Sequence, residues 1–322
     1  MQTPANRDGA RNGRIAITGA TGFIGAHLLR RLDDLNYPTS ALVRMTPNRV
    51  LDMPSSTRLV SGSLSEPEAL RDFLSEAQTC LHLAGATKSV SAAGFHRANA
   101  VGTFDLASQA AAAGVQHFIY VSSQAARAPA LSDYAASKAA GEAALAPFQA
   151  RMKITIVRPP AVIGPGDPML QPMFDLIRLG WLPAPAEPRS GARQFAVIAV
   201  EDLVKALISI ATAPEPQGGL IKPCSIRSTN WRLATEAVSE VQKRRIRRLP
   251  IWPGLLRTVG RLSDGLAKLI RRPMPISYGK VQELLAADWT YETALQDAMT
   301  LEEIFAACFQ EQDEKADAGL ES

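Results

Sequence analysis

Arg14-Ile-Ala-Ile-Thr18 runs straight into Gly19-Ala-Thr-Gly22-Phe-Ile-Gly25, and that junction decides the fold. The short β-branched run predicts a buried strand, and Phe23 to Leu35, rich in Leu and Arg, predicts a helix. Gly19 permits the tight turn between them, Gly22 keeps side chains off the backbone, and Gly25 lets the helix pack closely on the strand. With Thr21, Phe23 and Ile24 the turn offers free N–H groups at a helix N-terminus, which suits the pyrophosphate of a dinucleotide. The spacing is G-x-x-G-x-x-G, not the commoner G-x-G-x-x-G, so its weight comes from lying at a strand-to-helix junction.

The same alternation continues outward. Further strands are predicted at Thr39–Val43, Arg58–Val60, Thr79–Leu83, Gln116–Val121 and Lys153–Val157. Between them lie helices, one long and Ala-rich ending at Ala113 and another from Asp133 to about Pro147. Strands alternating with helices give an α/β fold, a Rossmann doubly wound parallel sheet whose strand carboxyl ends meet in one crevice. Residues 12–165 are assigned to this dinucleotide-binding domain, with 194–212 returning to it through Ala196–Val200 and a helix from Asp202. Residues 166–193 and 213–309 are assigned to a smaller C-terminal substrate lobe, and 310–322 to an acidic, flexible tail.

The end of the second strand selects the dinucleotide. Leu42-Val43-Arg44, with Arg49 nearby, carries no acid for a ribose 2′-hydroxyl. A guanidinium suits a 2′-phosphate, so NADP(H) is preferred and NAD(H) remains admissible. The competing account makes Arg44 a solvated strand-end charge.

Val121-Ser122-Ser123 ends a strand at the crevice, and Tyr134-Ala-Ala-Ser-Lys138 follows. Residues four apart share a helical face, so an ammonium stands near the phenol. A free phenol ionises near pH ~10, and a neighbouring cation lowers that value. Tyr134 is then placed to exchange a proton with a hydroxyl or carbonyl while hydride moves to or from a nicotinamide. Alone, Tyr-x-x-x-Lys is as readily a surface aromatic–cation pair. The glycine turn and the strand-ending Ser, in this order, give it weight.

These residues resemble the extended short-chain dehydrogenase/reductase family, which includes NAD-dependent epimerases and dehydratases and the 3β-hydroxysteroid dehydrogenases. The resemblance runs from Ile15 to about Leu207. It is carried by the glycine turn, His82-Leu-Ala-Gly85, Asn99-Ala-Val-Gly-Thr103, Tyr120-Val-Ser-Ser123, Tyr134-x-x-x-Lys138, Arg158-Pro-Pro-Ala-Val-Ile-Gly-Pro-Gly166, and Phe195 with Val200-Glu-Asp-Leu203. It implies Tyr134 as general acid/base, Lys138 on the nicotinamide ribose lowering the tyrosine pKa, and Ser123 as the catalytic serine with Ser122 the lesser candidate. It further implies Ala84, Gly85 and Pro159 along the cofactor, Ser63 and Leu64 toward the adenine, and a structural role for Asn99. There are departures. Ser61-Gly-Ser63 lacks the family's usual aspartate, and Gln124-Ala125 stand where sugar-nucleotide dehydratases carry an acidic pair. The second argues against dehydration. The short stretch from Ser123 to Tyr134 implies an open mouth.

Bulk properties narrow the partners. Net charge is +4, too small for a nucleic-acid binder by charge alone. Three widely spaced cysteines, Cys80, Cys224 and Cys308, argue for a reducing compartment, and four scattered histidines for no metal site. The polar stretch Met1–Arg14 is unlike a secretory signal, and no apolar run reaches the ~18–20 residues that span a bilayer, so a cytoplasmic location is expected. Basic residues cluster at Lys243–Arg248, read as a solvated face, and at Arg271-Arg272. Between them Leu255, Val259, Leu262, Leu266 and Leu269 form one helical stripe. We read the stripe as packed on the dinucleotide lobe, the alternative being peripheral contact with an anionic membrane. Trp231, Trp252 and Trp289 are read as core or lobe-interface residues.

The expected activity is interconversion of a secondary alcohol and a ketone on a hydrophobic small molecule, with a homodimer through the long helices as a further expectation. A nucleotide-sugar epimerase with transient hydride transfer and a non-catalytic NADP(H)-binding sensor or assembly protein are the alternatives.

Overall fold

In the computed structural model, residues 13–44, 53–188, 191–286 and 288–320 are described, and Arg49 lies outside them. The first half contains β1 (Arg14–Thr18), α1 (Phe23–Asp34), β2 (Thr39–Val43), β3 (Arg58–Ser61), α2 (Pro67–Phe73), β4 (Ala77–His82), α3 (Ala92–His96), α4 (Gly102–Ala112), β5 (His117–Val121), α5 (Asp133–Ala143) and β6 (Lys153–Val157). A π-turn, Arg97–Val101, joins α3 to α4. Then follow β7 (Ala161–Ile163), α6 (Gln171–Arg178), β8 (Trp181–Pro185), β9 (Gln194–Ala199), α7 (Val200–Ala211), β10 (Gly219–Ile221), β11 (Ile226–Thr229), α8 (Trp231–Val241), β12 (Arg247–Ile251), α9 (Pro253–Ile270), α10 (Tyr278–Leu285), β13 (Asp288–Trp289) and α11 (Leu301–Leu320).

Seven parallel strands form the main sheet in the order β10-β6-β5-β4-β1-β2-β3. The order reverses between β1 and β4, which opens the crevice there. Alternate residues of β1 point to opposite faces. Ile15 and Ile17 pack with Leu28 and Leu32 of α1 and Leu203 and Leu207 of α7. Ala16 joins the other face, with Phe73, Leu106, Phe118 and Tyr120. A third core, including Phe174, Val197, Val238, Ile304 and Phe305, joins α6, β9, α8 and α11.

Several boundaries differ from expectation. β10, assigned to the substrate lobe, is the edge strand beyond β6, because Gly-Leu-Ile is too short to show a period. Residues 194–212 return to the core through Ile198 and α7, but β9 itself belongs to a second sheet with β7, β11 and β13. β8 and β12 pair with each other and carry prolines, which edge positions tolerate. α11 continues into the segment expected as a tail.

The α9 stripe is the main correction. Its buried positions are Gly260 and Ala267, and the helix packs on α10, while Leu262 and Leu269 are 69% and 80% exposed. Periodicity showed an amphipathic helix but not which face finds a partner. Trp252 is likewise exposed rather than core. Among the described residues no helix is long and apolar enough to cross a membrane.

Candidate active site

The glycine turn is built as its sequence suggests. Gly19 has φ +75°, and a Cβ there would meet Ala84 N at 2.6 Å. A Cβ on Gly25 would lie 2.2 Å from Gly19 O, so α1 sits almost against the turn. Gly22 is exposed and N-caps α1 without a side-chain cap. Gly22 thus offers the first N–H groups of α1 no side-chain cap, as suits anion binding. Thr21, Phe23 and Ile24 are half-buried along the same junction. This cradle, which a β-carbon would fill, fits a dinucleotide pyrophosphate.

From the turn the site extends along the strand ends. Ala84 and Gly85 follow β4, and a Cβ on Gly85 would lie 3.7 Å from Lys138 Nζ and 2.7 Å from Asn99 Oδ1. Asn99 sits in the π-turn, accepts from Ala86 N at 2.7 Å, and donates to Ala86 O and Ser137 Oγ. It clamps the loop after β4 onto α5. Pro159 is buried after β6, and its carbonyl accepts from Gln124 N. Arg44 is exposed at the end of β2. Beside it, past β3, Ser63 donates to Glu66 at 2.7 Å. Leu64 packs toward Gly102 of α4.

Ser132 N-caps α5 by accepting from Ala135 N and so fixes where Tyr134 begins. Lys138 is buried, donates to Val121 O at 2.8 Å, and stands 4.6 Å from the Tyr120 ring centroid. Burial lowers its pKa to about 8, against the opposing influence of the Glu142 carboxylate. Tyr134 is half-buried, edge-on to Phe95. Its pKa lies above the ordinary value: burial raises it, the Lys280 ammonium and hydrogen bonding from the Ser123 side chain pull it down, and Glu283 pushes it up. Ser123 also caps the turn after β5, accepting from Ala125 N. Ser122 is committed elsewhere: it donates to Glu142, which is paired with Arg158.

A phenol held above its usual pKa keeps its proton near neutrality and suits donation to a developing alkoxide. The cation that most favours its ionised form is Lys280 on α10, 5.5 Å from the ring centroid. Sequence reasoning missed Lys280, because it is 146 positions from Tyr134 in a region without periodicity. It also missed Asp167, whose pKa burial raises while Lys88 and Lys280 lower it, so these charges gather at one mouth. Gln124, in the place of an acidic pair, instead donates to Trp289 O at 2.8 Å and ties the site to the second lobe. His82 bridges Thr18 and Thr103 and is buried, and burial, helped by the Lys138 charge, lowers its pKa to about 3. It is neutral. A cavity lined by Ser225, Glu236, Asp297 and Glu302 shares no residue with this pocket.

Comparison with known proteins agrees with the geometry. The pattern of the NAD dependent epimerase/dehydratase family matches residues 15–221. The ceramide reductase of Caulobacter vibrioides (strain NA1000 / CB15N) is 38% identical over 287 residues, covering 88% of this chain and 87% of that protein. A putative dihydroflavonol 4-reductase of Synechocystis sp. (strain ATCC 27184 / PCC 6803 / Kazusa) is 30% identical over 183 residues, 50% of this chain and 52% of the other. The solved structure of MoeE5 in complex with UDP-glucose and NAD superposes with a TM-score of 0.70 at 20% identity, covering 94% of this chain and 100% of that one, a likeness of fold.

Proposed function

The chain belongs to the NAD dependent epimerase/dehydratase family, and from that footing we propose that it is an NADP(H)-dependent reductase of a ketone on a hydrophobic, lipid-like molecule, the alcohol oxidation being the reverse. Tyr134 carries the reading: a protonated phenol beside Ser123, on a helix whose Lys138 adjoins the loop that meets the glycine turn. The nicotinamide dinucleotide, when bound, supplies the hydride. The α1 N-terminus and the glycine turn would hold its pyrophosphate, and Arg44 would meet a 2′-phosphate. Lys138, held by Val121 O, would use its remaining protons on the nicotinamide ribose. Ser123 holds the substrate oxygen, and Tyr134 delivers the proton that turns the forming alkoxide into an alcohol. Solvent then reprotonates the phenolate. The lipid-like substrate is suggested by the ceramide reductase relative, similar over nearly the whole of both chains.

The test is a panel of long-chain and aromatic ketones offered with NADPH or NADH. The expected result is NADPH consumption with one alcohol formed per cofactor oxidised. Tyr134→Phe should lower kcat by at least about a hundredfold while dinucleotide binding survives. Product formed without net cofactor turnover would indicate epimerisation instead. Binding with no turnover of any compound would sink the enzyme reading.

A further inference from the structure

Helix α9 carries an apolar face that no described residue covers. Trp252, Leu255, Val259, Leu262, Leu266 and Leu269 are between 40% and 80% exposed. On a helix the five aliphatic positions recur on one side, and they span about 20 Å. The opposite side is fastened down. A Cβ on Gly260 would lie 2.9 Å from Tyr278 Cα, Asp264 accepts from Tyr278 N at 3.1 Å, and Ser263 donates to Ile276 O. The face is thus held outward by close helix–helix packing and has no freedom to fold back.

The charge around it names the partner. Residues 243–272 contain ten Lys or Arg and one acid, Asp264, although Arg257 and Arg261 turn to Gln282 and Tyr278 on α10 and Arg248 pairs with Glu187. Arg247 and Arg248 precede the stripe, and Arg271 and Arg272 follow it. A second copy of this chain, meeting it by two-fold symmetry, would lay the same cations against each other. An anionic lipid surface satisfies both features: its acyl boundary takes the leucines and Trp252, and its headgroups take the guanidiniums.

We propose that the outward face of α9 docks the protein on an anionic lipid bilayer and presents the reaction pocket to substrate held in that bilayer. The second half rests on the lipid-like substrate read above. The link runs through α10. The helix against which α9 packs places Lys280 over the Tyr134 ring, and Glu283 accepts from Ser132, the N-cap of the Tyr134 helix. Docking through α9 would therefore hold at the bilayer the helix pair whose second member borders Tyr134.

Flotation of the full chain with phosphatidylcholine vesicles, with and without phosphatidylglycerol and without any ketone, tests the surface. Co-flotation is expected only when phosphatidylglycerol is present and should weaken as salt rises. The double variant Leu262→Glu/Leu269→Glu, altered at outward positions alone, should lose at least about tenfold in vesicle affinity and still reduce a water-soluble ketone. Its rate on a vesicle-embedded long-chain ketone should fall by a similar factor. If the native chain stays in the soluble fraction, or the variant floats as well as it does, the docking surface is overturned. A variant that floats normally but changes from dimer to monomer overturns it in favour of a second copy. Flotation without reduction of any ketone leaves the surface standing and removes the substrate reading.

Discussion

Arg44 stands exposed where β2 ends, on the same carboxyl edge of the sheet as the glycine turn. An acid there would favour a ribose diol and repel a 2′-phosphate. Arg44→Asp should therefore raise the KM for NADPH by about tenfold or more and improve NADH. Unchanged discrimination between the two would make Arg44 a bystander. That Tyr134 and Lys138 share one helix was legible from their spacing. What spacing could not show is that Lys138 spends its hydrogen bond on Val121 O and that Lys280, from another helix, is the cation over the phenol. The expectation that the phenol would be depressed assumed proximity to Lys138, whereas the cation acting on it is Lys280 and burial of the ring outweighs that charge.

The glycines of the turn separate two kinds of damage. A Cβ at Gly25 would strike backbone at 2.2 Å and 2.7 Å, whereas one at Gly22 meets only Gly19 O at 3.1 Å. Gly25→Ala should cost about 1–3 kcal/mol of stability and weaken dinucleotide binding, read by denaturant titration and cofactor affinity. Gly22→Ala should keep most of the stability and lose binding alone. Equal stability losses in the two would show that the close packing of α1 is not what Gly25 serves. Elements with a clear period were legible nearly to the residue, as in β1, β2 and β6. Those that were not have physical reasons. β8 and β12 read Trp-Leu-Pro-Ala-Pro and Arg-Arg-Leu-Pro-Ile, with prolines that signal loops unless an edge is known to be free. α3 and α4 read as one helix, and the π-turn that turns Asn99 toward Ala86 leaves no local mark.

Across the molecule, two buried histidines set how it meets acid. His117 bonds Thr155 beneath the sheet, and burial lowers its pKa to about 4, as it lowers His82 to about 3. Both values lie below that of the unfolded chain, which takes up protons first as pH falls. Stability they contribute is thus full above about pH 6.5 and is lost on descending toward pH 4, by roughly 3 kcal/mol for each residue. Denaturant midpoints should fall steeply over that window, and His117→Gln should flatten the fall. An unaltered slope in the variant would place the acid sensitivity elsewhere. Buried and part-buried polar ties join the C-terminal segments to the main sheet's helices and loops: Asp202 of α7 accepts from Ser225 and from Met299 N, and Tyr291 donates to Arg158 O. Gln124 makes the tie nearest the chemistry, reaching Trp289 and Thr290 from the position next to Ser123. Any hinge that parts the lobes has to unlatch that amide, and Gln124 belongs to the turn that Ser123 caps. Loosening of that amide would therefore also disturb the turn that fixes the Ser123 hydroxyl.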